Sequence, residues 1–352
     1  MSAAFGELRS IAQREPGEDS WVHLCALLDR APEHEVVEVL VPYLQDTLDR
    51  WPDATRVVSP VWLNKLAEGA PLPQLTVARS LDLRSMFAGS KLVGALGRSH
   101  ALGHVRQIYA SGKRLGPAGV IGLLGHGAFP SLDVLHLDDA SLSDDGVEAL
   151  CGLDGLRGVR ELSLASNAMG PDAASSLASS PWLESLEDLD VSSNALGAAG
   201  LRRLTSAAWA PGLRAFRMSF DRAGWGEGLG DALHHEGWSG LRELVFSGAY
   251  ACPGLSHSLA GSAALSGIET LGLNWDLLGG DGARVLFEGS VFTHLETLDL
   301  RRNLLRLPGA EVLAAARLPA LREVLLQHNL FGAQGARVLA ASEWSAHAKV
   351  RT

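Results

Sequence analysis

The chain has 352 residues, of which 47% are hydrophobic and 20% are charged, and its formal net charge at pH 7 is −10. These values exclude an intrinsically disordered chain, and the acidic balance argues against nucleic-acid binding, because phosphate recognition needs a basic surface. The 39 glycines, with only 6% aromatic residues, indicate many short elements separated by turns.

No targeting or membrane-spanning segment is expected. The first residues lack the basic and apolar regions of a signal peptide, and no apolar run approaches about 18 residues. Cys25, Cys151 and Cys252 are far apart and odd in number, which disfavours a disulfide framework or a thiolate metal site. We therefore expect a cytoplasmic protein without membrane contact, and the preference for Arg over Lys favours a bacterial source.

Residues 1–77 differ in character from the rest and predict a helical N-terminal cap. Amphipathic stretches at 3–15, 19–30 and 33–50 are separated by Pro16-Gly17 and Ala31-Pro32. A stack of repeats needs its first open hydrophobic edge covered, and a helical cap serves that purpose. A separate effector domain is the alternative, but the region carries no chemical motif.

From residue 78 onwards the pattern Leu-x-x-Leu-x-Leu-x-x-Asn-x-Leu recurs at a spacing of 26 to 28 residues. Alternating leucines in the first half of each copy predict a short strand. In the second half, a small residue and a leucine four positions later, such as Gly200 and Leu204, share one helical face and predict a helix. The ten copies begin at residues 78, 105, 132, 159, 186, 213, 241, 268, 295 and 321.

Segments such as NALGAAGLRRL, DLLGGDGARVL and NLFGAQGARVL resemble leucine-rich repeats of the ribonuclease-inhibitor-like class. The resemblance implies an α/β leucine-rich-repeat solenoid of about ten 27-residue units over residues 78–352, with a curved parallel sheet inside and helices outside. That class is a binding scaffold with many clients and includes activators of Ran-type GTPases. No residue pattern in this sequence carries that activity over.

The asparagine of the repeat pattern predicts which turns are well supported. Asn167, Asn194, Asn303 and Asn329 have a side-chain amide that can satisfy the bent backbone. We expect looser turns where another residue replaces it, and a bulge or shifted helix in the glycine-rich sixth unit after Asp221. The replaced positions are Met86, Lys113, Ala140 and Ala249.

The sequence contains no catalytic or cofactor motif. A phosphate-binding loop, a nucleophile elbow and a His-Glu-x-x-His pair are all missing from it. His234, His235 and Glu236 are adjacent, so on a helix they point in different directions and do not form a metal site. We therefore predict a non-enzymatic protein with no cofactor, metal or catalytic residue.

The repeat phase separates core tryptophans from candidate binding residues. Trp182, Trp209 and Trp344 share one place in their units, and Trp238 joins them if the sixth unit carries two extra residues, so these four are predicted to be buried. Trp225 and Trp275 have no such structural role.

Residues that alternate with the strand leucines face solvent and form three groups. The position after the first leucine mixes Arg with Asp and Glu, and predicts a ladder of weak ion pairs. The second group is an acidic patch that would suit a basic partner: His136, Asp138, Asp139, Asp188 and Asp190. Units two apart are separated by about 10 Å, too far for one metal ion to join them.

The third group is aromatic and basic. Phe220 and Trp275 are predicted anchors for a protein partner, oriented by Arg301, Arg302 and His328, with Arg217 and Asn274 beside them. The alternative is that these side chains only cover the sheet.

These patterns favour a scaffold or receptor that binds a protein on the concave face of the repeats. An inhibitor that caps an enzyme through the acidic patch is one alternative, and a GTPase-activating or other regulatory protein is another, by family analogy. A role in oligomers, through the C-terminal end of the repeats, also stays open, as do the partner and the oligomeric state.

Overall fold

The computed structural model describes residues 2–85, 89–112, 115–219, 228–248, 254–274, 277–288 and 291–352. These residues form two compact units. The first unit comprises Met1–Leu142 and Ala149–Leu162, and the second comprises Ser143–Glu148 and Ser163–Thr352. The predicted anchors Phe220 and Trp275 lie outside the described residues, and so do Trp225, Asp221 and the turn positions Met86, Lys113 and Ala249.

The first unit begins with helices whose ends follow from proline chemistry. The predicted helix 3–15 ends at Ala12, because Pro16 disfavours a helical conformation at the preceding residue. The predicted helix 33–50 is interrupted by a π-helical turn, Val36–Leu40, just before Pro42, which lacks the N–H of a regular helix. The helices are α1 (Ala3–Ala12), α2 (Glu18–Arg30), α3 (Glu33–Glu35), α4 (Val41–Thr47) and α5 (Pro60–Ala67).

These helices enclose a tryptophan cluster and meet the first strand. The ring of Trp21 lies 6.4 Å from that of Trp51 and 6.3 Å from that of Trp62, and all three side chains are buried. The Trp21 indole donates to the Val57 carbonyl at 2.7 Å, and Val57 bridges to Ser80, the first residue of β1. Indole burial therefore connects the helical region to the repeats within this unit.

Strands and helices then alternate at the predicted period, which confirms the α/β leucine-rich-repeat fold. The first unit contains β1 (Ser80–Asp82), α6 (Ser90–Gly97), β2 (Gln107–Tyr109), α7 (Gly116–Leu124) and β3 (Val134–His136). Residues of both units contribute to α8 (Ser143–Cys151) and β4 (Glu161–Ser163).

The second unit continues the same alternation. Its elements are α9 (Pro171–Ala178), β5 (Asp188–Asp190), α10 (Gly197–Thr205), β6 (Ala215–Ser219), α11 (Leu229–Leu233), β7 (Glu243–Ser247), α12 (Leu255–Ala260), β8 (Thr270–Asn274), α13 (Gly279–Phe287), β9 (Thr297–Asp299), α14 (Arg306–Ala315), β10 (Glu323–Leu325), α15 (Gly332–Ala340) and β11 (Lys349–Arg351).

The strand register reproduces the repeat phase residue by residue. In the second unit, the parallel pairs link Thr270, Thr297, Glu323 and Lys349, of which the first three are each the third residue of a predicted repeat. In the first unit Ser80, Gln107 and Val134 are linked in the same way. The last strand, β11, lies beyond the ten predicted repeats and extends the pairing by one strand.

The predicted core tryptophans are buried. Trp182, Trp209, Trp238 and Trp344 are at most 5% exposed. The Trp209 indole donates to the Leu177 carbonyl at 3.1 Å, and that of Trp344 donates to the Leu313 carbonyl at 3.0 Å. The indole N–H groups of Trp209, Trp238 and Trp344 are therefore satisfied by carbonyl oxygens, whereas that of Trp182 is buried without a hydrogen-bond partner.

The asparagine ladder is confirmed where the described residues carry it. Oδ1 of Asn194 accepts from the backbone N–H of Asn167 at 2.9 Å and of Met169 at 3.1 Å, and its Nδ2 donates to the Leu164 carbonyl at 2.9 Å. Asn329, in the turn after β10, repeats this arrangement with Asn303, Leu305 and Leu300. Each amide thus satisfies the backbone of its own turn and of the preceding one.

The glycine-rich sixth repeat has a short helix. Helix α11 has 5 residues where α10 has 9, and residues 220–227, where the bulge or shifted helix is predicted, lie outside the described residues. Throughout the described part of the chain, the helices are too short or too polar to cross a bilayer.

Candidate functional site

The exposed positions of the first strands carry a continuous row of interacting side chains. Tyr109 and His136 are paired in register on β2 and β3, and their rings meet edge to face with centroids 4.9 Å apart. Nε2 of His136 lies 2.7 Å from Oε1 of Glu161. On the other side of Tyr109, the Arg84 guanidinium lies 5.0 Å from the ring centroid and pairs with Asp82 at 2.7 Å. We call these five residues the tyrosine row.

The electrostatics of the tyrosine row follow from this packing. Partial burial, and then the negative charge of Glu161, raise the pKa of Tyr109, so the phenol stays protonated and neutral. The hydrogen bond to Asp82 raises the pKa of Arg84, so its guanidinium stays charged over the ring. The row therefore offers one neutral aromatic ring between charged groups that are already paired.

Four of the five residues of the predicted acidic patch have hydrogen-bond or ion-pair partners inside the protein. In the first unit His136 bonds to Glu161, and a carboxylate oxygen of Asp138 accepts the Ser111 hydroxyl at 3.0 Å, while Asp139 is exposed in a turn. In the second unit Asp188 pairs with the Arg217 guanidinium, and Asp190 accepts the backbone N–H of Ser192 at 2.8 Å. These carboxylates take part in the structure of their own units.

Arg217 lies between two carboxylates. Its guanidinium contacts Asp188 at 2.5 Å and Glu243 at 2.8 Å on the neighbouring strands β5 and β7. Burial opposes the charge, but the hydrogen bond to Asp188 and both carboxylate charges outweigh burial and raise the pKa of Arg217. Arg217 therefore neutralises two acidic side chains of the sheet.

Asn274 and Arg301 converge on one carboxylate. The guanidinium of Arg301 donates from Nε to Asp299 Oδ1 at 2.9 Å and from Nη2 to Oδ2 at 2.6 Å. Asn274 donates to the same carboxylate at 3.4 Å and accepts the Ser247 hydroxyl at 3.0 Å. The hydrogen bond to Asp299 raises the pKa of Arg301. The side chain of Arg301 is thereby held in one orientation at the surface.

Arg302 and His328 occupy the same exposed place in adjacent repeats. Both adopt a left-handed backbone, with φ of 60° and 64°, and the Arg302 N–H donates to the Gln327 carbonyl at 3.0 Å. The structure therefore brings Arg301, Arg302 and His328 to one part of the second unit.

The predicted ion-pair ladder is confirmed. Arg106 pairs with Asp133 in the first unit, Arg242 pairs with Glu269 at 3.4 Å, and Arg322 pairs with Glu296 at 3.1 Å. These pairs are solvent-exposed, so each contributes little to stability. Among the residues that the structure describes, no group of three or more His, Cys, Asp or Glu side chains is placed to hold a metal ion.

Sequence reasoning missed Tyr109 and Glu161 in the first unit and Glu243 in the second. Tyr109 could have been predicted as a site residue, because it occupies the same place in its repeat as His136. The two residues are paired in register as the last residues of β2 and β3. The two glutamates carry no such signal, because their roles depend on which neighbour each side chain reaches.

The family model described as "Leucine Rich repeat" matches residues 130–151, 183–204 and 293–314. Each match contains one strand and the helix that follows it, such as β5 and α10. The matched segments coincide with three of the ten predicted repeats, those that begin at residues 132, 186 and 295. No protein with a curated description matches it.

Several solved structures are similar to this chain at low identity. An internalin from Listeria monocytogenes str. 4b F2365 is 17% identical, with a TM-score of 0.43, over 77% of this chain and 68% of that one. A chain of the Rad7 and Elc1 complex in yeast is 14% identical, with a TM-score of 0.46, over 85% and 79%. A chain of the TLR13–ssRNA13 complex is 15% identical, with a TM-score of 0.39, over 74% of this chain and 41% of that one.

Proposed function

We propose that the chain is a non-enzymatic, cytoplasmic scaffold that binds a protein partner on the exposed strand surface and adjoining turns of its leucine-rich repeats. The observation that carries the proposal is the exposure of Arg301, Arg302 and His328 in one part of the second unit. A doubly hydrogen-bonded carboxylate orients Arg301, and backbone hydrogen bonding between repeats orients the turn of Arg302. Such ordering before binding lowers the entropy lost on association.

The residue types also support a protein-binding role. Arginine is enriched among the residues that dominate protein interfaces, together with Trp and Tyr. Phe220 and Trp275 belong to the proposed surface by their place in the repeat pattern, whereas Arg217 and Asn274 support it through their bonds to Asp188, Glu243 and Asp299. The spacing of about 27 residues supports assignment to the ribonuclease-inhibitor-like class, and the Arg preference supports a bacterial source.

The test is affinity capture from a lysate of the producing cells, with the full chain as bait. We expect at least one protein to bind the wild type and to be lost from an Arg302→Ala/His328→Ala variant, because both side chains are exposed and neither supports the core. An Arg284→Ala/Arg337→Ala variant is the matched control, since those residues are exposed on α13 and α15. Equal capture by all three baits would contradict the assigned surface.

A further inference from the structure

Three leucines stand at the same place in successive repeats of the second unit. Leu277, Leu304 and Leu330 each lie seven residues after the strand residues that pair with one another in β8, β9 and β10. Their exposed fractions are 52%, 39% and 66%. Within the described part of the second unit they are the most exposed large apolar side chains. We call these three residues the leucine ridge.

The turns that carry the leucine ridge are stacked on one another. The N–H of Gly279 donates to the Asn303 carbonyl at 3.0 Å, and the N–H of Arg306 donates to the Asn329 carbonyl at 2.9 Å. Strands in one sheet are about 4.8 Å apart, so the ridge extends over roughly 10 Å. The leucines therefore form one contiguous apolar feature rather than three isolated side chains.

The backbone of the ridge is unfavourable for leucine. Leu277, Leu304 and Leu330 have φ of 49°, 52° and 58°, a left-handed conformation in which the Cβ of a bulky residue is crowded. Earlier repeats place small residues there, Ser141 with φ 58° and Ala168 with φ 55°. A leucine at this place neither fills the core nor suits the backbone, so its value to the protein lies outside folding.

The exposed charged residues that flank Leu304 and Leu330 are basic, whereas the residue before Leu277 in the sequence is Asp276. Arg302 and Arg306 lie two residues before and after Leu304, and His328 lies two residues before Leu330. All three are exposed, with φ of 60°, 54° and 64°. On a chain with a net charge of −10, this is a local basic surface. Charge complementarity therefore selects an acidic ligand.

We propose that the leucine ridge docks an acidic protein segment. Large apolar side chains of that segment pack against Leu277, Leu304 and Leu330, and its carboxylates pair with Arg302 and Arg306. This inference rests on the proposed function and specifies the chemistry of the partner. Three side chains and two arginines are too small a surface for stable membrane anchoring, which needs larger apolar burial or several basic residues.

The test uses a random-peptide phage library selected on the immobilised full chain. We expect the enriched peptides to be net negative and to carry at least two large apolar residues. Synthetic copies should lose affinity about tenfold or more on a Leu304→Ser/Leu330→Ser variant, because two desolvated anchors are removed. Their affinity should fall with added salt on the wild type, and less steeply on an Arg302→Ala/Arg306→Ala variant.

The matched control is Val22→Ser/Ile121→Ser, which removes two apolar side chains that are 57% and 45% exposed in the first unit. Peptide affinity should be unchanged on it, and all variants should melt within a few degrees of the wild type. No enrichment, enrichment of basic or uncharged peptides, or retained affinity on the ridge variant would overturn the proposal.

Evidence that the leucine ridge binds a lipid surface or a second copy of the chain would also overturn the proposal. Binding of phosphatidylserine vesicles that is lost in the ridge variant would identify a lipid surface. Self-association in light scattering that is lost in that variant would identify a second copy of the chain. If captured proteins depend on Arg302 and His328 while peptide binding is indifferent to the leucines, the proposed function stands and the ridge proposal fails.

Discussion

At the residue scale, the neighbours Asn329 and Leu330 differ in what they contribute: the buried asparagine stabilises the fold, and the exposed leucine is available for binding. Its backbone is left-handed, with φ of 58°, and its side chain is 66% exposed. Its neighbour Asn329 is 2% exposed and bonds to two carbonyls, those of Leu300 and Leu326. The hydrogen bonds of Asn329 thus stabilise the turn. Leu330 adopts the left-handed backbone that this turn requires and adds no buried contact of its own.

We predict that Leu330→Gly is more stable than Leu330→Ala by about 1 kcal/mol, because only glycine lacks the Cβ that the left-handed backbone crowds. At ordinary positions the order is the reverse, since glycine loses more backbone entropy on folding. Urea unfolding of the full chain, followed by circular dichroism, measures both variants. Ala336→Gly, at an exposed position of α15, should instead destabilise by about 1 kcal/mol. An alanine variant more stable than the glycine variant would mean that Leu330 is not left-handed in solution.

The positions of site residues follow from the sequence, but their partners do not. The repeat phase alone puts Arg302 and His328 on the exposed side, because each precedes the buried asparagine of its turn. Arg217 is also placed correctly on its strand, yet its bonds to Asp188 and Glu243 depend on side-chain rotamers. The sequence did not single out the ridge leucines, because they occupy the variable position between the asparagine and the last leucine of the repeat pattern, and their left-handed backbone is seen only in the structure.

At the element scale, close approach of helices explains a glycine that a helix would otherwise avoid. Gly97 is the last residue of α6, and a Cβ there would lie 2.0 Å from the Gly122 carbonyl oxygen and 2.9 Å from that of Leu123 in α7. Backbone cannot move aside as a side-chain tip can. The contact between α6 and α7 therefore requires glycine at this position.

We predict that Gly97→Ala destabilises the chain by about 2 kcal/mol, as expected for overpacking that forces a backbone shift. Gly122→Ala is the matched control on the facing helix, where the added Cβ meets only Val93 Cγ1 at 3.4 Å. That substitution should stabilise by about 0.5–1 kcal/mol through helix propensity. Thermal melting of both variants gives the comparison, and a Gly97→Ala protein as stable as the Gly122→Ala protein would contradict the close helix approach.

Elements with the repeat signal were predictable, and elements without it were not. Leucines at fixed spacing place every strand from β1 to β10, because burial of alternate residues is the same physical requirement in each repeat. Strand β11 (Lys349–Arg351) was not predicted from the sequence, because one valine between two basic residues forms no alternating hydrophobic pattern. Its strand conformation follows from its neighbour: Lys349 N–H donates to the Arg322 carbonyl, and Leu326 N–H donates to that of Arg351, both at 2.7 Å.

At the scale of the whole molecule, each repeat contacts mainly the repeats before and after it, so the effect of a defect should decline with distance along the chain. Substitution of Trp344 tests, in the second unit, whether the effect of a defect declines with distance. Trp344 is 1% exposed, follows α15, and donates to the Leu313 carbonyl of α14 at 3.0 Å. Its removal leaves a cavity beside the last repeat and takes away one of the two donors to the Leu313 carbonyl, the other being the Ala316 N–H.

We predict that Trp344→Ala costs about 3 kcal/mol locally and opens the C-terminal repeats first. Hydrogen exchange should show lost amide protection in β10, β11 and α15, less loss in β9, and none in β5 and β6. Trp209→Ala is the matched comparison, because Trp209 is similarly buried and bonded but lies between interior repeats. It should reduce protection on both sides, in β5 as well as β7. A uniform loss of protection across the second unit in both variants would show that its repeats unfold together, and nearest-neighbour coupling would then not describe the molecule.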